Sequence, residues 1–563
     1  MMKIEVLELA RVLAEIEQKY AGESLGRMIA AAYVLWLGRR YAMVDIDNLQ
    51  DFIDKAEIDK STRLFIIAAL NEHWAEYRRY ITAFSEEGLR EFILTAKPDS
   101  GRSSFAMNTP ESVIKLALAA LKLSPEDSVA NFGAGIGDFL CKAYGMSPQS
   151  QYFGNEIAAD AKAIASIRAA LLGQNILVEQ EDMFDSKRRP QRFNKIFCHP
   201  PYGLRLGSSP NMKRFLETLP PSVPLLKGTG SCEWIFALRM LAELEPGGKA
   251  VLLMSNAGTW NSQDILIRKY FIERGLIQTV IALPERLLEY TGLACTLVVF
   301  SDKNNAVEMV DATEAGIKGR RNTELSDQDI AQIVHEGKDE GNILRKWVSS
   351  SEILDNDCML NPTRYLQETI KLEHEAAFRD IIASVTRGAS LAAHDLDQLI
   401  SAEPTAYQYL MLSNIQNGII DENLPYLSNI EPHLKKYLLQ PNHLVLSKNG
   451  YPFKVAVAQP EEGREILGNG NLFIITLKED VADPYYVKAF LESEKGVALL
   501  KRIAVGAAIP NISLEALRNL PISLPPLEIQ RKISERYQKK LNELAQLTRK
   551  LERVHEELAH ILD

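Results

Sequence analysis

The sequence predicts an α/β fold built on a doubly wound sheet, with an α-helical N-terminal domain before it and an α+β domain after it that ends in a long coiled-coil helix. Three observations carry this. Between residues 110 and 305 short apolar runs alternate with amphipathic stretches, the pattern of successive βαβ units. A glycine-rich turn, NFGAGIGD at residues 131–138, follows one of those runs and precedes a helical stretch. The tail from Glu528 to Asp563 places apolar residues three and four apart among Lys, Arg and Glu, which is the seam of a coiled coil.

From Val6 to about Leu94, residues Leu7, Leu9, Val12, Leu13 and Ile16, then Leu64, Ile66, Ile67 and Leu70, recur at helical spacing without a proline. A helical domain is expected over residues 1–98. The polar, turn-rich KPDSGRSSF (97–105) reads as a linker into a second domain over 99–305. There SVANF (128–132), YFGNEI (152–157), FNKIFC (193–198), KAVLLMS (249–255), IQTVIAL (277–283) and TLVVFS (296–301) read as strands. The interval from Gly203 to Ser231, rich in Gly, Ser and Pro, reads as a long functional loop. Residues 306–360 are charged and mixed and read as a connector with some helix. A domain over 361–526 carries short strands such as HLVLSKNG (443–450) and NLFIITLKED (471–480). Residues 527–563 form one helix whose seam holds Ile533, Tyr537, Leu541, Leu544, Leu551, Val554, Leu558 and Ile561.

A chain of 563 residues with 46% apolar composition can bury several cores. A net charge of −10 and a pI near 5.6 exclude a strongly basic nucleic-acid coat protein. DNA binding stays open, because a basic cleft can sit on an acidic protein. Cys141, Cys198, Cys232, Cys295 and Cys358 are scattered, with no CxxC pair, so neither a disulfide framework nor a metal site is expected. No apolar run approaches the ~20 residues that cross a bilayer. With acidic residues in its first stretch and no cleavage site, the chain reads as cytoplasmic, with no membrane association.

In the glycine turn, Gly133, Gly135 and Gly137 permit positive φ and close approach of a ligand to the backbone. About twenty residues on, Glu156 ends the next strand with a carboxylate that can accept both hydroxyls of a ribose. Asp182, after ILVEQ, can accept from an adenine amino group. Turn, acid and acid at three strand ends describe an adenosine site, and the absence of GK[ST] excludes a P-loop. At this point a nicotinamide dehydrogenase competes.

The strand FNKIFC ends in HPPYG at residues 199–203. Together with Thr109-Pro110 before ESVIKLALAAL, LAELEPGGKAVLLMS (241–255) and VIALPERLLEYTGLACTLVVFS (280–301), this motif resembles the modification subunit of type I restriction-modification systems. That is a γ-class DNA adenine N6-methyltransferase family with the motif [Asn/Asp/Ser]-Pro-Pro-[Tyr/Phe]. The resemblance implies a Rossmann-like domain that binds S-adenosyl-L-methionine through Thr109, Asn131, Gly133, Gly135, Gly137, Glu156 and Asp182. It also implies catalysis by His199, Pro200, Pro201 and Tyr202 on an adenine flipped from double-stranded DNA, with Tyr202 stacking on the base. Two positions depart from the pattern. Asn131-Phe132 stand in place of Asp-Pro, and His199 stands where Asn, Asp or Ser is usual. A neutral imidazole offers one acceptor and an imidazolium none. Two readings therefore stand side by side: a methyltransferase of a restriction-modification or phage-defence system, and a methyltransferase-like chain that binds DNA and recruits partners without methylating.

The C-terminal half resembles half of a type I specificity subunit, on LSNIQNGII (412–420), HLVLSKNG, DPYYVKAFLES (483–493) and GAAIPNISLEALRNLPISLPPLEIQRKI (506–533). This implies target recognition in the globular part, with Lys435, Lys436, Lys448 and Lys454 as candidate phosphate contacts. It also implies a homodimer through the C-terminal helix or pairing with a specificity chain, and a separate nuclease or translocase as a further partner.

Overall fold

The computed structural model describes residues 2–18, 24–43, 47–97, 108–185, 192–204, 209–224, 232–288, 291–320, 322–335, 342–366, 370–505 and 510–559. The chain divides into two compact units, Met1–Leu366 and Gln367–Asp563.

The first unit is organised by β1 (Ser128–Phe132), β2 (Gln151–Glu156), β3 (Ile176–Gln180), β4 (Phe193–Cys198), β5 (Leu244–Ser255), β6 (Ile277–Ala282), β7 (Cys295–Phe300) and β8 (Ala306–Asp311). A short ladder of β9 (Ile317–Lys318) and β10 (Thr323–Glu324) follows, and then β11 (Leu344–Ser349). The large sheet has nine strands in the order β3-β2-β1-β4-β5-β7-β6-β8-β11. Neighbours from β3 to β5 run parallel, while β7 is antiparallel to both β5 and β6. All six residues of β7 are buried, as expected for a strand covered on both faces.

Period-two alternation sorts the strand side chains between two cores. Ala130, Phe132, Ile196, Cys198, Leu252 and Met254 face one side, with Trp234 of α11 (Glu233–Glu243) and Phe271 of α12 (Ile265–Glu273). Val129, Phe197, Val251 and Leu253 face the other, with Val113 and Leu118 of α7 (Glu111–Leu121) and Phe139 of α8 (Asp138–Met146).

The N-terminal helices are α1 (Met2–Glu17), α2 (Ser24–Arg40), α3 (Leu49–Asp54), α4 (Lys60–Leu70), α5 (Trp74–Tyr77) and α6 (Glu86–Thr95). Their core, including Leu13, Tyr33, Phe52, Ile66 and Leu89, is continuous with Ile164, Ile167 and Leu171 of α9 (Ala159–Leu172) and with Ile136 of the glycine turn. Lys162 of α9 reinforces the join, donating to the Asp59 carboxylate (2.5 Å) and the hydroxyls of Ser61 (3.0 Å) and Thr62 (3.2 Å). The helical segment is thus built onto the α/β part, within one unit. The expected linker lies almost wholly outside the described residues, since 98–107 are not described.

Two expectations are corrected. Residues 306–360 are not merely a connector: β8 pairs with β6, and β11 closes the sheet edge against β8. Charged residues such as Glu308 and Arg345 hid these strands in the sequence, and the structure pairs them with each other at 3.2 Å inside the fold. The interval from Gly203 to Ser231 contains a helix, α10 (Pro210–Glu217), with Ser209 as N-cap and proline in its first turn.

The second unit is α+β. Ile382–Arg387, Leu472–Leu477, Leu444–Ser447 and Val455–Val457 form an antiparallel sheet. A second four-stranded sheet includes Tyr407–Leu410 parallel to Glu465–Gly468. The terminal helix, Leu527–Ala559, is anchored by its first turns. Gln530 receives the Asp483 amide (3.0 Å), Ser534 donates to the Asp483 carboxylate (2.6 Å), and buried Lys488 reaches the Tyr537 hydroxyl (2.5 Å). Beyond them, Leu544, Leu547, Leu551, Val554 and Leu558 are all exposed. Ile561 lies outside the described residues.

Candidate functional site

In a doubly wound sheet, ligands bind beyond the carboxyl ends of the strands where strand order reverses. Here the reversal falls between β1 and β4, whose last residues Phe132 and Cys198 are register partners. The glycine turn therefore leaves one strand end beside the point where His199-Pro200 leaves the other. A cavity of about 700 Å³ opens there, within the usual range for a small-molecule site. Its wall contains Thr109, Asn131, Gly133, Gly135, Glu156, Asp182, His199, Pro200 and Pro201. Nine of the eleven residues singled out in the sequence thus meet on one wall. Gly137 and Tyr202 are not on it.

The three glycines differ. All have positive φ, +69° at Gly133, +54° at Gly135 and +88° at Gly137. A Cβ built on Gly133 or Gly135 meets no heavy atom within 4 Å among the described residues, whereas one on Gly137 comes within 3.1 Å of Ala165 in α9. The first two form an open cradle that a side chain would fill. The third permits close helix packing.

The acids are held by backbone amides. Glu156 accepts from the N–H of Gly135 (2.8 Å) and of Ala158 (2.9 Å), which ties the end of β2 to the glycine turn. Asp182 accepts from the Phe184 N–H (2.9 Å) and from the Asn211 side-chain amide of α10 (2.9 Å). Asn131, buried in β1, donates weakly to the Phe197 carbonyl (3.4 Å).

His199 lies at the junction of the walls. Its Nδ1 is 2.7 Å from the Thr109 hydroxyl, and its ring meets Tyr202 edge-on with centroids 5.6 Å apart. Burial pushes its pKa down to about 4, so the imidazole is neutral at pH 7. Burial likewise pushes the neighbouring Cys198 thiol far up, leaving it inert as a nucleophile.

Several wall residues had no signal strong enough to single them out in the sequence. Asn155 accepts the Gly133 N–H (3.1 Å) and donates to the Glu181 carboxylate (3.4 Å); a polar residue inside the apolar run YFGNEI is the clue that points to it. Asn108 donates to Asp138 at 2.5 Å. Met212 and Phe236 also line the cavity. Arg168 of α9 is completely buried and supports the turn from behind. It donates to the carbonyls of Ile93 (2.9 Å), Ala96 (2.5 Å) and Ile136 (3.0 Å) and to the Asp138 carboxylate (2.6 Å). Among the described residues no cluster of His, Cys, Asp and Glu could hold a metal ion, and no helix is long and apolar enough to cross a membrane.

In the second unit the candidate lysines fall in two places, Lys435 and Lys436 within the 3-10 helix Pro432–Tyr437, and Lys448 and Lys454 at the two ends of the turn joining Leu444–Ser447 to Val455–Val457. Lys454 donates to the Leu412 carbonyl (2.7 Å), and Lys436 sits 4.9 Å from the Tyr437 ring centre. Partial burial and the nearby Arg387 lower the pKa of Lys448.

Comparison with known proteins gives two family matches: N-6 DNA methylase over residues 88–374 and type I restriction modification DNA specificity domain over 399–555. The chain is similar to the type I restriction enzyme MpnII methylase subunit of Mycoplasma pneumoniae, 21% identical over 310 residues, 50% of this chain and 57% of that protein. The type I restriction enzyme MjaVII methylase subunit of Methanocaldococcus jannaschii is 24% identical over 286 residues, 46% of this chain and 48% of that protein. The chain thus spans about half the length of the relatives it matches. A solved type I methyltransferase subunit from Streptococcus thermophilus superposes with a TM-score of 0.49 at 17% identity, over 66% of this chain and 100% of that one. With the first match covering just over half of its length, around the cavity described above, this chain belongs to the N-6 DNA methylase family, and it carries a type I DNA specificity domain match within its second unit.

Proposed function

We propose that the chain is a site-specific DNA adenine N6-methyltransferase that uses S-adenosylmethionine, acting in the cytoplasm as a component of a restriction-modification or phage-defence system. The observation that supports this best is the opening of the glycine turn and of His199-Pro200-Pro201, from adjacent strand ends, onto one cavity. The cavity fits the cofactor on its own terms: the cradle at Gly133 and Gly135 is space that any Cβ would fill, and Glu156 and Asp182 stand at successive strand ends along it. Glu156 would hold the ribose, Asp182 the adenine amino group, and Thr109 the neighbourhood of the methionine end. When bound, the cofactor supplies an electrophilic methyl group on a sulfonium.

The chain's residues prepare the acceptor. A target adenine must leave the stack before its amino group can be reached, and Tyr202, beside His199, offers a ring on which it can stack. The Pro200 carbonyl takes one amino hydrogen and His199 the other, turning the nitrogen lone pair toward the cofactor. With a pKa near 4, His199 is too weak a base to store the proton and acts as a hydrogen-bond acceptor. Rate comes from positioning and desolvation.

The specificity domain match supports target reading by the second unit. The exposed repeat Leu544, Leu547, Leu551, Val554 and Leu558 supports a homodimer through the terminal helix, while DNA cleavage falls to a separate nuclease or translocase partner. The contact between Thr109 and His199 also admits a second reading, binding without methylation. If the Thr109 hydroxyl donates to Nδ1, the other ring nitrogen carries a hydrogen and cannot accept.

The test is transfer of a labelled methyl group from S-adenosylmethionine to DNA by the wild type and by His199→Asn, with N6-methyladenine mapped in host DNA. Methylation at a bipartite motif is expected. Binding of DNA and cofactor with no transfer by the wild type would replace this proposal with the second reading.

A further inference from the structure

We propose that Thr109 is a positioning residue that selects the tautomer of His199: its Oγ1 accepts the hydrogen on Nδ1, leaving the lone pair on Nε2 for a hydrogen of the target amino group. This inference rests on the methyltransferase reading above.

A neutral imidazole has one N–H and one lone pair, and the partner of one nitrogen decides which of them the other presents. The Thr109 hydroxyl lies 2.7 Å from Nδ1, so that nitrogen is committed to it. A threonine hydroxyl can donate or accept. If it donates, Nε2 is an N–H and opposes the amino hydrogens of adenine donor to donor. If it accepts, Nε2 does what an amide oxygen does at this position. Burial keeps the ring neutral at pH 7, which leaves two tautomers and removes the doubly protonated form. Neither partner is free to drift. Thr109 is followed by Pro110 and by α7, seven of whose eleven residues are buried, and the His199 ring packs against Tyr202 at 62°. An imidazole becomes a usable substitute for an amide only with this second residue to direct it.

Two measurements test the proposal on the full chain. In 15N-histidine-labelled protein, His199 is identified among the nine histidines by its loss in His199→Asn. The wild-type ring is expected to be protonated at Nδ1 and bare at Nε2. Thr109→Val should shift it toward the other tautomer, and Thr109→Ser should restore the wild-type signature. The second measurement is the single-turnover methylation rate at saturating S-adenosylmethionine. Thr109→Val is expected to lower the rate about fivefold to tenfold, the worth of one hydrogen bond, and to lower it by a smaller factor in the His199→Asn background, where the acceptor needs no directing.

A wild-type ring protonated at Nε2, or an equal loss from Thr109→Val in both backgrounds, overturns the proposal. The spectrum does not need an active enzyme. An absence of methyl transfer would therefore count against the methyltransferase reading while the tautomer is still read directly.

Discussion

Replacing Gly135 or Gly137 by alanine should separate two jobs that one glycine turn performs. At Gly135, φ is +54° and an added Cβ meets no described heavy atom within 4 Å. Its cost to the fold is the strain of a left-handed alanine, about 1–2 kcal/mol. The new methyl projects into the cavity, however, and should weaken S-adenosylhomocysteine binding by at least about tenfold, or ~1.4 kcal/mol. At Gly137, φ is +88° and the Cβ stands 3.1 Å from both Cα and Cβ of Ala165. To the same strain is added overpacking of α8 against α9, typically ~1–3 kcal/mol. Gly137→Ala should therefore lose about 2–5 kcal/mol of stability, while its folded fraction still binds the ligand. Urea denaturation followed by circular dichroism gives the stabilities, and isothermal titration calorimetry gives the affinities. The reasoning is refuted if Gly135→Ala binds like the wild type, or if Gly137→Ala abolishes binding with its stability intact.

Arg168→Ala should cost about 3–5 kcal/mol, because it strands the buried end of Asp138 and the carbonyls of Ile93, Ala96 and Ile136; a change below about 1 kcal/mol in a urea titration would remove Arg168 from its supporting role. His199 gives a pH signature. Its folded pKa of about 4 lies below the ordinary 6.5, so the unfolded chain binds the extra proton first. Its contribution is complete above pH 6.5 and is lost as pH falls from 6.5 toward 4, at up to about 1.4 kcal/mol per pH unit. The difference in stability between wild type and His199→Asn should follow that window, and a difference independent of pH would contradict the burial argument. Leu551→Glu with Leu558→Glu, both at exposed positions of the terminal helix, should halve the mass seen by light scattering without lowering the melting temperature. An unchanged mass would dismiss this helix as a dimer interface.

Much of the site could be read in the sequence because its requirements are local. A turn that needs positive φ selects glycine, so NFGAGIGD announced itself. Burial on both faces wrote most of β1 to β7 as apolar runs, and all seven lie where those runs stand, to within a few residues at their ends. The strands β8 and β11 escaped notice because polar residues such as Glu308 and Arg345 become burial-compatible only as a pair, and their partners lie 37 residues apart. Helix α10 hid inside a Gly, Ser and Pro-rich interval, although Ser209-Pro210 is a start signal.

What the sequence determined by itself is the kind of site: a glycine turn, two acids and an HPPY loop, each at a strand end, because backbone conformation and side-chain period are properties of neighbouring residues. Tertiary structure alone decided how these parts work. It made Gly137 a packing residue facing Ala165 and left Gly135 open to the cavity. It set Arg168 behind the turn, and it brought the Thr109 hydroxyl to the nitrogen of His199 across 90 residues of chain. The physical reason is that close approach and hydrogen-bond partnership are settled by the pairing of β1 with β4 and by the helices laid over them, and no local pattern records which distant atom will be there.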